Sequence, residues 1–162
     1  MLKITPEEYD RLISTCNKDS VFIFYKLSEH ALYPTKATVH SAGIDIYASE
    51  ETIIPTNKCV AVKTDITCFI PKGYELQIRP RSGLCLKNII TIFGTVDADY
   101  SGMHICVMIM NNNSVDYVIN KHTRVAQGIF SKLYDNKILD SNLQIICDSE
   151  IIRSGGFGST GY

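Results

Sequence analysis

A chain of 162 residues that is 45% hydrophobic, with 16 basic against 17 acidic side chains and a net charge of -1, has one domain's length. Such a chain can bury roughly 70% of the surface its unfolded form exposes. The balanced charge, with no long run of one sign, excludes the basic footprint of a nucleic-acid binder, and no apolar stretch reaches the roughly eighteen residues of a membrane span. Six cysteines without a C-x-x-C pair, most of them inside apolar runs such as "CVAV" and "HICVMIM", read as buried free thiols of a reducing compartment. With no signal-peptide h-region at the N-terminus, an intracellular protein, cytoplasmic or nuclear, is expected.

The first element signal is "TPEEYDRLI". Thr5 as N-cap, Pro6 at the first helical position and Glu8 three residues after the cap form a capping box, with Tyr9, Leu12, Ile13 and Cys16 on one face. This predicts a short amphipathic helix within an N-terminal extension, residues 1–20. From Val21 the pattern changes to short β-rich runs: "VFIFYKL", "CVAVKTDITCFI", "YELQI", "IITIFGTV", "HICVMIM", "VDYVI", "RVAQGIFSKLY" and "LQII". Turn residues punctuate them at Pro34, Pro55-Thr56-Asn57 and Pro71-Lys72-Gly73. That cadence predicts an all-β sandwich or barrel over residues 21–150. The last residues, 151–162, form a glycine-rich tail expected to be flexible.

Four polar stretches interrupt the β runs. "AGIDIYAS" places Asp45 between two isoleucines, which fits either a solvent-facing strand position or a functional acid. "RPRSGLCLK" ends a strand in Arg81-Ser82-Gly83. Its amides and hydroxyl could meet an anion with Arg79, Arg81 and Lys87 adding charge, and an ordinary capped turn accounts for it equally well. "GTVDADYSG" sets Asp97, Asp99 and Tyr100 between glycines, in an expected hairpin. "HTRVAQGIF" brings Arg124 and Gln127 to the start of a strand, while His30, His40, His104 and His122 lack metal spacing and read as structural. The tail contains Gly156-Phe157-Gly158-Ser159-Thr160-Gly161, a letter match to G-x-G-x-x-G. No helix can open after it, which removes the dinucleotide-binding reading.

Taken in order, "AGIDIYAS", "PRSGL", "GTVDADYSG", "RVAQ" and "GGFGSTG" resemble the five motifs of the trimeric deoxyuridine triphosphatases, over about Lys26 to Gly161. The resemblance implies a jelly-roll subunit, a homotrimer with shared active sites, and Mg2+-dependent hydrolysis of dUTP to dUMP and pyrophosphate. That reaction limits uracil incorporation into DNA and supplies dUMP for thymidylate synthesis. It further implies that Asp45 holds the metal through water and that Asp97 positions the attacking water. Arg81, Ser82, Gly83 and Gln127 would meet the phosphates. The hairpin from Gly94 to Tyr100, with Gly94, Thr95 and Val96 at its start, would form the uracil slot, and Tyr100 would pack under the deoxyribose. Phe157 would cover the base while Arg153, Gly158, Ser159 and Thr160 close on the phosphate end. Thr91 or Ile92 stands where the family commonly has an asparagine or a small residue.

Two other readings remain at this level. A dCTP deaminase on the same fold usually shows Arg-Ser-Ser where this chain has Arg81-Ser82-Gly83. A catalytically silent trimer that binds dUTP as a regulator would have no need of Asp97.

Overall fold

The computed structural model describes residues 22–100, 102–134 and 139–144, together with Glu7 and Arg11, whose backbone is helical. The rest of the predicted N-terminal helix and the glycine-rich tail lie outside the described residues. In chain order the elements are β1 (Ile23–Lys26), β2 (Ile44–Tyr47), β3 (Thr52–Ile54), β4 (Cys59–Phe69), β5 (Tyr74–Arg79) and the short helix α1 (Ser82–Cys85). They continue with β6 (Ile89–Thr91), β7 (Gly94–Val96), a 3-10 turn (Ala98–Tyr100), β8 (Ile105–Asn111), β9 (Tyr117–Ile119) and β10 (Arg124–Lys132).

The strands form two four-stranded sheets, ordered β1-β4-β8-β6 and β2-β10-β5-β7, plus the ribbon β3-β9. Every strand pair is antiparallel. This is the expected all-β sandwich, and the side-chain pattern explains it. In β8 burial alternates along "ICVMIMN", so Ile105, Val107 and Ile109 face the opposite sheet. They meet Ile46, Leu76, Ile78 and Ala126 from β2, β5 and β10 in one core. Full burial of each such isoleucine stabilises by about 1.5–3 kcal/mol. The predicted turns close as expected, with Lys58 N–H donating to Pro55 C=O and Tyr74 N–H to Pro71 C=O, both at 3.1 Å. Gly73 sits at φ +85°, which glycine alone adopts without strain.

Several expectations are corrected. "IITIFGTV" is not one strand: β6 pairs with β8 in the first sheet, whereas β7 pairs with β5 in the second. The chain crosses the end of the sandwich at Ile92-Phe93. The stretch from Gly94 to Gly102 is not a hairpin either. After β7 the 3-10 turn, closed by Tyr100 N–H to Asp97 C=O at 3.0 Å, carries the chain back to the first sheet through Gly102 at φ +83°. β3 and β9 pair residues that are far apart in sequence, Thr52 with Ile119 and Ile54 with Tyr117, a ribbon that short-range periodicity does not reveal. Leu143 and Gln144 of "LQII" lie in a turn closed by Asp140, not in a strand. Among the described cysteines, Cys68 is buried as expected, but Cys59 is exposed because it begins β4 on an outward position, and Cys85 and Cys106 are half-buried.

A buried polar link joins the two sheets at the bulge in β10. β10 changes register between Arg124 and Ala126, which takes Val125 out of the ladder. The Thr91 hydroxyl, on a residue only 1% exposed, donates to the Val125 carbonyl at 2.6 Å. Removing that donor leaves a buried carbonyl unsatisfied, so Thr91→Val should lower stability by about 1–3 kcal/mol. The expected reading is a lower urea midpoint with an unchanged slope.

Candidate active site

The sequence-predicted residues fall into two constellations. The first is built on a row across the second sheet, where Asp45 of β2 stands opposite Gln127 of β10, and Gln127 stands opposite Arg79 of β5. Directly paired residues share a face, so these three project from the side away from the core. Asp45 is nonetheless only 9% exposed, against the solvent-facing alternative its alternating strand allowed. Residue Thr35 covers it, pairing backbone to backbone with Asp45 at 2.7 and 3.2 Å. Its carboxylate is then held by two guanidinium groups: Arg81 Nε donates to Oδ1 at 2.9 Å and Arg124 Nη1 to Oδ2 at 3.2 Å. A carboxylate this enclosed is stable as an anion only when paired, and here both oxygens are paired.

Arg81 also donates to the Arg124 carbonyl at 3.4 Å, and Gln127 Nε2 donates to the Pro80 carbonyl at 2.8 Å. These bonds fix the chain where β5 ends and α1 begins. Ser82 and Gly83, both exposed, open α1, whose first amides have no partners within the helix. A Cβ built on Gly83 meets nothing within 4 Å, so the absence of a side chain there leaves room for another molecule rather than relieving an internal clash. Arg79 is turned to Gln77, whose Oε1 accepts from its Nε at 2.9 Å, and Lys87 lies beyond the helix.

The second constellation is a cavity of about 270 Å³ at the end of the sandwich, lined by Gly94, Thr95, Val96 and Tyr100 along with Ile78 and Cys106. Ile78 precedes Arg79 and therefore faces the core side of the sheet. None of Asp45, Arg81, Ser82, Gly83 or Gln127 lines the cavity, although Thr95, opposite Gln77, shares a sheet face with Arg79. Tyr100 is half-buried and its hydroxyl donates to the His104 carbonyl at 3.0 Å. Asp97 is half-buried where β7 leads into the 3-10 turn. Burial pushes the Cys106 thiol up from its usual range, with the Asp65 carboxylate adding to the effect, and burial pushes Cys68 up to about 12. Both thiols therefore stay protonated at neutral pH. Arg153, Phe157, Gly158, Ser159 and Thr160 lie outside the described residues.

No group of three or more His, Cys, Asp or Glu side chains that could hold a metal ion exists among the described residues. Asp45 is set beside the Arg81-Ser82-Gly83 turn, with both oxygens accepting from arginines. That donor set fits a divalent cation carried by phosphate oxygens and reaching the protein through water, as Mg2+ commonly does.

A model of the dUTPase family matches residues 29–161. The chain belongs to the dUTPase family. It is 41% identical over 151 residues to the deoxyuridine 5'-triphosphate nucleotidohydrolase of Saccharomyces cerevisiae, covering 91% of this chain and 99% of that protein. Against the Clostridioides difficile protein of the same name it is 38% identical over 140 residues, 85% of this chain and 95% of the relative. Among solved structures, the Staphylococcus bacteriophage 80alpha dUTPase with dUPNHPP superposes with a TM-score of 0.71 at 24% identity, over 88% of this chain and 99% of that one. The phage phi11 dUTPase, solved to describe coordination of a structural Mg(II) ion, superposes at 0.69 with 23% identity, over 74% and 95%. These likenesses support the fold.

Within this dUTPase fold the motif residues acquire partners that the sequence does not announce. Arg124, unremarkable at the start of its strand, proves to be the second cation on Asp45, 79 positions away. Thr91 faces the core, so its hydroxyl is spent on Val125 and does not reach the cavity. Gly43 of the first motif has a packing reason: a Cβ there would lie 2.9 Å from Ile129 Cδ1 and 3.0 Å from Gln127 Oε1. Gly43→Ala should therefore displace the Gln127 amide from Pro80, raising KM for dUTP several-fold. Its overpacking should cost about 1–3 kcal/mol of stability. Steady-state kinetics and thermal unfolding check the two parts separately.

Proposed function

We propose that this chain hydrolyses dUTP to dUMP and pyrophosphate in a homotrimer whose sites are shared between subunits. The observation that carries the reading is the family match over residues 29–161, which contains every motif residue named above. Membership of the dUTPase family makes the chain a dUTP-hydrolysing enzyme. The finer assignments rest on chemistry. Arg81, the Ser82-Gly83 turn and Gln127 form a cationic and amide-rich end suited to the triphosphate. The backbone of Gly94, Thr95 and Val96 at the cavity mouth offers donors and acceptors to the edge of uracil. Tyr100 lies where a ribose 2'-hydroxyl would be crowded out.

Asp97 holds and orients the attacking water, taking a proton from it as it adds to phosphorus. Bound Mg2+ would neutralise charge on the triphosphate, and Asp45 would hold it through water. The tail, with Phe157 over the base and Arg153, Gly158, Ser159 and Thr160 at the phosphates, closes the site against solvent. A shared site is supported by the separation of the two constellations: none of Asp45, Arg81, Ser82, Gly83 or Gln127 lines the cavity, and a closed three-fold ring can bring one chain's turn to a neighbour's cavity. The outward face of β8, where Cys106, Met108 and Met110 are half-buried, is the apolar surface such a ring would cover.

Pyrophosphate release from dUTP, measured beside UTP, dTTP and dCTP with and without Mg2+, tests the activity. Asp97→Asn should keep dUTP binding within about tenfold yet lower kcat at least about a hundredfold, since an oriented base acts mainly in the transition state. Near-normal turnover would remove Asp97 from the mechanism. Sharing is tested by refolding Asp97→Asn together with a chain lacking residues 153–162. Activity should return in mixed trimers if acid and tail come from different subunits. Mixed trimers verified by mass spectrometry that remain inactive would exclude the shared arrangement.

A further inference from the structure

We propose that His104 is a positioning residue for Tyr100, so that the choice of deoxyribose over ribose depends on an anchor in the bulge of β4. The inference rests on the reading of Tyr100 as the sugar-facing ring. His104 and Asp65 lie outside all five motifs.

The Tyr100 ring forms part of the cavity wall, and its hydroxyl donates to the backbone carbonyl of His104 at 3.0 Å. That carbonyl belongs to the short link between the 3-10 turn and β8, which turns through Gly102 at φ +83° and is closed by Met103 N–H to Tyr100 C=O at 3.2 Å. The link is tied down by the His104 side chain. Nε2 accepts the backbone N–H of Asp65 at 2.9 Å, across 39 residues of sequence. Asp65 lies where the β4–β8 pairing skips register between Lys63 and Ile66, at φ +49°, so the ladder with β8 offers its N–H no partner and the imidazole supplies one. The same Nε2 lies 3.2 Å from Asp65 Oδ1, so the ring faces both the amide and the carboxylate of Asp65.

Asp65 is itself anchored. Ser28 Oγ donates to its Oδ2 at 2.7 Å and the Leu27 N–H to its carbonyl at 2.8 Å, while Thr64 next to it donates to the Ile105 carbonyl. A continuous chain of bonds therefore runs from the segment after β1, through the bulge and the His104 ring, to the tyrosine hydroxyl. A displacement of the His104 peptide moves the hydrogen-bond acceptor of Tyr100, and the ring that must crowd a 2'-hydroxyl loses its fixed height in the cavity.

The test compares kcat/KM for dUTP and UTP in the full-length chain. His104→Leu keeps bulk but removes the acceptor, and should lower the dUTP:UTP ratio about tenfold. His104→Gln places an amide oxygen near the position of Nε2 and should hold the ratio within about twofold of the unaltered chain. Should His104→Leu not fold, His104→Asn, whose shorter amide does not reach the Asp65 N–H, replaces it in the comparison. Tyr100→Phe cuts the same chain of bonds at its other end, so it should lower the ratio by a similar factor, with His104→Leu adding nothing further in that background. A merely structural histidine would lower thermal stability and depress both substrates alike, leaving the ratio unmoved. An unchanged ratio in the folded Leu or Asn variant, equal ratios for that variant and His104→Gln, or additive losses with Tyr100→Phe would each overturn the inference. If the unaltered chain hydrolyses dUTP but shows no preference over UTP, the sugar-facing role of Tyr100 falls and the inference with it. A strong preference that survives His104→Leu refutes the inference alone.

Discussion

A carboxylate enclosed by its own sheet and clasped by two arginines organises this molecule. Asp45 sits on β2, Arg124 on β10, and Arg81 on the turn after β5, so a single anion ties together three segments that are far apart in sequence. Burial makes the arrangement mutual. Removing the acid would leave two guanidinium groups crowded without a counter-ion, and removing one arginine would leave a nearly buried charge half-compensated. The arginine that would face a triphosphate is thus set in place by a carboxylate before any ligand arrives, and its geometry is inherited from the β2–β10–β5 register. Gln127, bonded to Pro80, holds the same turn from the other side.

Sheet pleating then separates the work. Alternation along β5 sends Arg79 outward into the Asp45 row and Ile78 inward to the cavity wall. A nucleotide has a charged end and a nearly apolar, edge-polar base, and each constellation suits one of those ends. The physical cost of putting both on one face would be a charged row in the core of the sandwich. Keeping the charged row on the solvent side of β5 avoids that cost.

The end of the sandwich, where the chain crosses twice between sheets, is held by local polar bonds in place of ladder pairing. Thr91 satisfies the carbonyl freed by the bulge in β10, and His104 satisfies the amide freed by the bulge in β4. Both bulges stand beside the cavity strand or its supports. In each case a break in the ladder leaves one buried or half-buried group seeking a partner, and a side chain from the opposite segment meets it.

Much of this architecture is legible in the sequence. Alternation in "HICVMIM", the Pro71-Lys72-Gly73 turn and the ten-residue cadence encode strands and turns over a few neighbouring residues, because side-chain direction and φ are local properties. The ordered motifs likewise named the residues of both constellations. What the sequence could not carry was which strands meet. "IITIFGTV" reads as one strand because its periodicity is unbroken, and only competition between two sheet edges divides it at Ile92-Phe93. Asp45 looks solvent-facing because alternation cannot foresee that Thr35 and two arginines will cover it. The pairing of Asp45 with Arg124, 79 positions apart, and of Asp65 with His104, 39 apart, depends on register and bulge geometry. Those are decided by packing of the whole sandwich, where a one-residue shift exchanges every inward side chain for an outward one.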